Sequence, residues 1–459
     1  MTVSACRISA DQVRALADGT AAGAELEILL RGQRSKVLAM IELITRRAAE
    51  VRHPEAAATA AGRDLLARVQ RREPTASERV LRYPAVSAWA ADTLLALDAA
   101  RYRGPARPGH LAAIGASAAI LGGLPATVEI PPPTGSGTTL HLPLLGSAAL
   151  PPQARSGAVV LRHAGGRTEI SWPRTTASRE KSRATLALPA DLDSSQDGWR
   201  ALAAAPVGLD RDRRRLMIDD ADPYRLPGSL AGLAPVTDPE RGQWQRRIGG
   251  GWGLLARDDQ RTASEVLSLI SALTPMRAAG GASRSITSRR AFGAIGLSLP
   301  ADDTAMALVL AHEVQHAKLC ALMDLLPLTK GQTGDRFYAP WRPDPRPLTG
   351  LVHGLYAHLG VTRFWWLRRE TAGEPAEVHR AQVEFARWRC ACAQVAAIIR
   401  ERPELTAYGT VFVDGTIRLL RRWEHERVPQ AARDEARIAA EEHRRRWDMS
   451  PARQLGEGT

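Results

Sequence analysis

Two histidines spaced four residues apart are the side chains in this sequence that most directly indicate chemistry. They lie in the segment Leu310-Ala-His-Glu-Val-Gln-His-Ala-Lys318. On an α-helix, residues four apart project from one face, so His312 and His316 can direct two imidazoles at a single ion while Glu313 lies beside them. Apolar residues flank the segment on both sides, and unpaired polar side chains on such a buried helix would be costly. The pattern therefore predicts a divalent metal site rather than a chance match on a surface helix.

A third ligand for the ion must come from elsewhere in the chain, and the downstream candidates are Asp324, Asp335, His353 and His358. Asp324 is eight residues beyond His316 on the same helix, about 12 Å along the axis, which is too far to reach the same ion easily. His353 and His358 are five residues apart and face different directions on a helix. This spacing predicts that only one of the two is a ligand.

The motif His-Glu-x-x-His alone is typical of zinc peptidases, in which Glu313 would be the general base acting on metal-bound water. Longer blocks indicate another class of protein: Ile218–Arg225, Ser285–Ser298, His312–Leu328, Tyr338–Pro347 and Gly354–Val361. In this order they resemble the HExxH-type 2-oxoglutarate-dependent peptide β-hydroxylases, which are found with ribosomally made, post-translationally modified peptides. The resemblance covers roughly residues 215–370.

This resemblance implies an Fe(II) ion bound by His312, His316 and His358, with 2-oxoglutarate and O₂ as co-substrates and a ribosomal precursor peptide as substrate. Three ligands from two helices would leave one face of the ion open for 2-oxoglutarate and O₂. No base is then needed to activate water. Glu313 would instead orient a ligand histidine or help to hold the metal, the alternative being a solvated carboxylate on the helix surface.

The far carboxylate of 2-oxoglutarate needs a fixed cation, and the planar fork of arginine matches a carboxylate with two hydrogen bonds. Arg342 and Arg346 are candidates, because they lie in a loop that four prolines stiffen. Arg289 is a third candidate. The alternative for the first two is that they lie on the surface beside Trp341 or pair with Asp344.

The charge of the chain restricts its partners. Its 62 basic and 49 acidic residues give a net charge of +13, and all but four of the basic residues are arginine. They are scattered among acids rather than gathered with stacking aromatics, so nucleic acid is not expected as a partner. An acidic peptide would be attracted by the same positive field.

Cysteines and hydropathy bear on the compartment. The spacing of the four cysteines matches neither a zinc knuckle nor a redox Cys-x-x-Cys motif, so they are expected to be reduced thiols. The start of the chain lacks a signal-peptide pattern, and no run of about 18 apolar residues occurs. We therefore expect a cytoplasmic protein without a membrane partner.

Hydrophobic periodicity predicts an α+β fold that is predominantly helical. Residues 1–121 form a helical N-terminal region, residues 122–220 a β-containing middle region, residues 221–450 a helical metal-binding catalytic core, and residues 451–459 a flexible tail. Within the core, a long buried helix from about Asp302 to Leu326, closed by Pro327, carries the metal motif.

Three functions remain open at this point. The first is Fe(II)/2-oxoglutarate-dependent β-hydroxylation of a residue in a precursor peptide, in which the N-terminal and middle regions could bind that peptide or a companion modifying enzyme. The second is zinc-dependent peptide hydrolysis. The third is peptide recognition by a metal-stabilised protein without turnover.

Overall fold

The computed structural model describes residues 6–98, 106–133, 138–175, 181–209, 211–227, 235–278, 283–331 and 334–449. The predicted tail, residues 451–459, lies outside these ranges. The described residues form a mixed α+β structure in which helix predominates, which confirms the predicted fold class at that level. Within these ranges, no helix combines the length and the apolar character needed to cross a membrane.

The N-terminal region is helical, as its Ala- and Leu-rich spacing predicts. Helix starts follow local chemistry: the Ser9 side chain accepts the amide of Gln12 before the first helix, and prolines occupy the first turn of the fourth and fifth. The elements are α1 (Ala10–Ala17), α2 (Gly23–Glu50), α3 (Ala56–Arg72), α4 (Pro74–Leu81), α5 (Pro84–Leu97) and α6 (His110–Leu121).

The middle region consists of strands, as predicted from its short apolar runs between turn residues. A four-stranded antiparallel sheet has the order β1-β4-β5-β6, and a three-stranded antiparallel sheet has the order β2-β3-β7. The strands of this region are β1 (Ala126–Ile130), β2 (Thr139–Leu142), β3 (Gly146–Ala149), β4 (Val159–Ala164), β5 (Arg167–Thr175), β6 (Lys181–Ala187), β7 (Trp199–Ala201), β8 (Ala203–Leu209) and β9 (Asp212–Ile218).

A five-stranded sheet joins the middle region to the region predicted to be the helical metal-binding core. Its order is β11-β12-β10-β9-β8, where β10 (Ala272–Met276), β11 (Ser285–Thr287) and β12 (Ala294–Ser298) come from the region predicted to be helical. The three central strands are parallel, and both edge strands are antiparallel to their neighbours. Every residue of β10 and β12 is buried. Such short apolar runs lack the alternation that identifies a half-buried strand, which is why periodicity did not predict them.

The remaining helices surround the segment with the two histidines. They are α7 (Asp238–Asp258), α8 (Gln260–Leu269), α9 (Asp303–Leu325), α10 (Leu348–Thr371), α11 (Pro375–Arg400), α12 (Ala407–Glu424) and α13 (Gln430–Asp448). The bounds of α9 agree with the predicted helix. The Asp302 side chain caps its first turn by accepting the Ala305 amide at 2.7 Å, and the helix ends just before Pro327.

Helices α9 and α10 approach each other closely. A Cβ atom at Gly360 of α10 would lie only 2.6 Å from the carbonyl oxygen of Ala311 on α9, a distance that no side chain could tolerate. The absence of a side chain at this position therefore allows the two backbones to touch one residue before His312.

The two largest hydrophobic cores of the described residues lie on opposite faces of the five-stranded sheet. One lies among helices α7–α12 and includes Leu310 of α9 together with Leu273 and Ile295 of the sheet. The other lies among α2–α6 and the smaller sheets and includes Trp89, while Ala272 faces it from β10. The sheet therefore connects the N-terminal region to the helices that carry the metal motif.

Candidate metal centre

Helix α9 places the two histidines of the motif on one face. The ring centroids of His312 and His316 are 4.9 Å apart. Two imidazoles bound to one ion have centroids about 5 Å apart, because metal–nitrogen bonds are about 2.0–2.1 Å long. Both rings are half-buried, and the His312 side chain is 22% exposed. The two rings therefore have a spacing that suits a shared metal ion, and one side of the pair is accessible to solvent.

Helix α10 brings both downstream histidines to this pair. The ring of His358 lies 5.2 Å from that of His312, and the ring of His353 lies 5.7 Å from that of His316. Both downstream histidines thus reach the pair, and each lies close to a different member of it. Of the two distances, that between the rings of His358 and His312 is closer to the separation of about 5 Å expected for two imidazoles bound to one ion.

A hydrogen bond fixes the proton position of His358. Its Nδ1 lies 2.9 Å from the carbonyl oxygen of Gly354, and because a carbonyl can only accept, Nδ1 carries the hydrogen. The lone pair of Nε2 is then left for a metal ion, the usual arrangement of a ligand histidine with a backbone carbonyl behind it. The structure thus supplies an outer partner for this candidate ligand.

The four histidines are neutral at pH 7. Burial lowers the pKa of His358 to about 3 and that of His353 to about 4. Burial also lowers the pKa of His312, and it lowers that of His316 further, with contributions from the three neighbouring histidines. Metal binding requires the neutral form of imidazole, so these environments favour a cation as the partner of the cluster.

Two tryptophans enclose His358, and sequence reasoning assigned neither of them to the site. The Trp341 ring stacks on the imidazole with a centroid distance of 4.4 Å, and the Trp388 ring lies 4.8 Å away. Trp341 fits there because Gly354 has no side chain: a Cβ atom would lie 2.4 Å from the indole. The glycine one turn before His358 was the available signal in the sequence.

Glu313 is fully buried and makes two contacts at the cluster. Its Oε2 accepts a hydrogen bond of 2.5 Å from the hydroxyl of Thr287, on edge strand β11, and its Oε1 lies 3.8 Å from Nε2 of His312. Its 1% exposure rules out the solvated surface carboxylate considered as the alternative. The carboxylate is held in place beside a candidate ligand.

The three candidate arginines all contact carboxylates. Arg342 and Arg346 share Asp344, with nitrogen–oxygen distances of 2.8 and 3.2 Å, as the alternative interpretation of this loop had it. Arg289 shares Asp324 with Lys36, at 2.5 and 2.7 Å. These contacts form two clusters, one around Asp344 and one around Asp324. Each cluster has two cations for one carboxylate and therefore keeps one surplus positive charge.

Both surplus charges lie close to the histidines. After burial, the main causes that lower the pKa of His353 are the positive charges of Arg289 and Arg346. Asp324 is bound by Gln33 and Lys36 as well as by Arg289, so it lies outside the histidine cluster, as predicted. Asp335 is exposed.

The block Ile218–Arg225 forms a separate buried cluster at the end of β9. The Tyr83 hydroxyl donates to Asp219 at 2.5 Å, and Asp219 also accepts the amide of Asp222. Burial and the neighbouring Asp219 raise the pKa of Asp222 to about 8. This block therefore connects the sheet to the N-terminal helices rather than to the histidines.

The donor chemistry of the cluster suits a transition metal, since neutral imidazoles are common ligands of iron and zinc. Within the described ranges, however, no group of three or more His, Cys, Asp or Glu side chains is arranged so that it could hold a metal ion as it stands. The imidazoles would have to turn about their side-chain bonds to converge on one point. No protein-family model and no curated protein matches this chain.

Proposed function

We propose that this chain is an Fe(II)/2-oxoglutarate-dependent dioxygenase that β-hydroxylates a residue in a ribosomally synthesised precursor peptide. The observation that carries the proposal is the meeting of His312 and His316 of α9 with His358 of α10, all three neutral. These three residues would hold the ion. When bound, the ion with 2-oxoglutarate and O₂ would insert one oxygen atom into a C–H bond of the peptide and release succinate and CO₂.

The surplus positive charges beside His353 support a dianionic co-substrate. 2-Oxoglutarate carries two carboxylates, and a guanidinium can bind one of them with two parallel hydrogen bonds. Arg346 and Arg289 are the best placed of the three candidates, since the positive charges of both act on His353, whereas the side chain of Arg342 pairs with Asp344. To bind a carboxylate of 2-oxoglutarate, Arg346 would have to give up part of its contact with Asp344, or Arg289 part of its contact with Asp324.

The contacts of Glu313 support a positioning role under this proposal. The Thr287 hydroxyl occupies Oε2, and Oε1 faces His312. A carboxylate in this place can orient the ring of a ligand histidine. The same carboxylate is the base in a zinc peptidase, so the experiment must separate the two enzymes.

The first test concerns the ligands. His358→Ala should reduce the iron content of anaerobically reconstituted protein to well below one ion per chain, whereas His353→Ala should leave most of it. The two substitutions remove the same side chain from the same helix, so each is the matched control for the other. Iron retained by His358→Ala and lost by His353→Ala would show that the third ligand is misassigned.

The second test concerns turnover. Fe(II)-loaded protein is mixed with 2-oxoglutarate, O₂ and the peptide encoded beside the gene, and peptide and co-substrate are analysed by mass spectrometry. We expect a gain of one oxygen atom coupled to succinate, and a Glu313→Gln variant that keeps part of the activity. Cleavage of the peptide with zinc, without 2-oxoglutarate and with complete loss in Glu313→Gln, would establish a peptidase instead.

The third test concerns the cation for 2-oxoglutarate. Arg346→Met should raise the KM for 2-oxoglutarate by about tenfold, the effect of losing roughly 1.4 kcal/mol of binding. Arg289→Met and Arg342→Met test the other two candidates in the same assay. Arg336→Met is the control, because Arg336 is exposed and, among the described residues, its side chain donates to the backbone carbonyl of Asp335 rather than to a carboxylate. Equal KM values in all four variants would exclude these arginines as ligands of the co-substrate.

A further inference from the structure

A cleft of about 760 Å³ lies between the N-terminal helices and the β8–β9 hairpin, away from the histidines. Its walls combine residues of both hydrophobic cores, for example Leu144 from one and Leu267 from the other. Clefts at such junctions are frequent binding sites, and this volume is in the range of known ligand pockets. We refer to it as the arginine cleft.

Seven arginines line the arginine cleft, against two glutamates. Arg31 and Arg34 come from α2, Arg79 and Arg82 from α4 and its end, and residues 213–215 from β9. This arrangement concentrates positive charge from three separate elements in one concave surface. Field lines are focused in such a cleft, which attracts anions.

Local ion pairs leave part of this charge uncompensated. Four of the arginines have a carboxylate partner: Arg31 pairs with Glu27, Arg34 with Glu78, Arg214 with Asp212 and Arg215 with Asp193. Within the part of the chain that the structure describes, Arg79, Arg82 and Arg213 form no ion pair. Three guanidiniums therefore remain available to a ligand.

Arg82 is the most constrained of the three. It is half-buried and donates to the carbonyl of Ser268. Burial lowers its pKa, and the nearby positive charge of Arg214 lowers the pKa further, whereas the carboxylates of Glu78 and Glu27 oppose this shift. Two like charges held together in a partly buried place would be stabilised by an anion that contacts both.

The other lining residues indicate which anion fits. Most of them are apolar, such as Leu30, Val207 and Ile270, and none of the lining residues is aromatic. Proteins that bind single-stranded nucleic acid stack the bases on aromatic side chains, which this cleft lacks. Guanidiniums pair with carboxylates in a bidentate way, and leucine-like side chains would fill the apolar part. The walls match an acidic peptide rich in aliphatic residues.

We infer that the arginine cleft binds an acidic, aliphatic segment of a peptide. As an extension that rests on the proposed function, this segment belongs to the substrate and lies outside the residue that is hydroxylated. Helix α2 connects the cleft to the end of α9, since its Arg34 lines the cleft while its Lys36 pairs with Asp324. A peptide held in the cleft would thus be retained on the same side of the molecule as α2.

The test measures binding to the full chain without iron or 2-oxoglutarate. The probe is a fluorescein-labelled peptide of alternating Glu and Leu, followed by fluorescence anisotropy. A Lys–Leu peptide of the same length and a labelled single-stranded oligonucleotide are the competing probes. We expect the Glu–Leu peptide to bind most tightly and to weaken as salt is raised.

Charge reversal locates the binding. Arg79→Glu with Arg213→Glu changes two exposed side chains, and we expect at least about tenfold weaker binding of the Glu–Leu peptide. Arg418→Glu is the control, since Arg418 is exposed on α12 and does not line the cleft. It should change the affinity less than about twofold, which is roughly 0.4 kcal/mol. Unchanged unfolding midpoints verify that the variants fold.

Two results would overturn the inference. One is equal affinity of the double variant and the wild type for the Glu–Leu peptide. The other is tighter binding of the oligonucleotide, lost in the same double variant, which would assign the cleft to nucleic acid. Neither result depends on hydroxylation, so the inference and the proposed function can fail separately.

Discussion

Replacing Lys318 by methionine should destabilise the protein by about 3–5 kcal/mol, because it breaks a buried ion pair and leaves a carboxylate uncompensated. The Nζ atom of Lys318 lies 2.7 Å from Oε2 of Glu265, and the two side chains are 4% and 5% exposed. Burial by itself lowers the pKa of Lys318, but the Glu265 carboxylate and the Tyr356 hydroxyl together raise it above its usual value. Lys318 is therefore charged, and its replacement would leave the buried carboxylate of Glu265 without the cation that it contacts.

The assay is equilibrium unfolding in urea, followed by circular dichroism. Lys330→Met is the matched control, because Lys330 is exposed and its substitution should change the free energy of unfolding by no more than about 0.5 kcal/mol. The double variant Lys318→Met, Glu265→Leu removes both charges and should recover most of the loss, since apolar pairs can replace a buried ion pair at little cost. A loss below about 1 kcal/mol in Lys318→Met would refute the reasoning, as would a double variant less stable than both single variants.

Three further predictions concern contacts near the site and the sheet. Thr287→Val removes the hydroxyl that donates to Glu313 and should cost about 1.5–3 kcal/mol in urea unfolding, whereas Thr287→Ser should retain most of the stability. The raised pKa of Asp222 means that its folded form holds a proton, so stability should fall as pH rises from about 4 to about 8, and Asp222→Asn should flatten this fall in melting temperatures across pH. Gly354→Ala should displace Trp341 and cost about 1–3 kcal/mol, with a lower iron content on reconstitution. Gly253→Ala on α7 is the comparison, because a Cβ atom there would meet no atom of the described residues within 4 Å.

The helix with the metal motif could be predicted to within a residue at each end, because Asp302 and Pro327 define its ends locally. Strands β10 and β12 could not, because both are fully buried and their stability comes from burial on both faces of the parallel part of the sheet. That burial depends on partners far along the chain. A short apolar run in the sequence does not indicate whether such partner strands exist.

The sequence limits the candidate metal ligands to a few residues, but it does not identify the third ligand. The spacing of His353 and His358 predicts that only one of them is a ligand, yet which of them meets His312 depends on how α10 crosses α9. The arginines show a related limit. Their partners Asp344 and Asp324 are respectively local and distant, and only the local one could be anticipated.

The close contact between Gly360 and Ala311 sets the register of α9 against α10. Two apolar helices can slide past each other by one turn and still bury similar area, but a glycine notch accepts the opposing carbonyl at one position only. The notch is two residues after His358, and the carbonyl is one residue before His312. The contact therefore determines which residues of the two helices face each other, and it brings the imidazole of His358 next to that of His312.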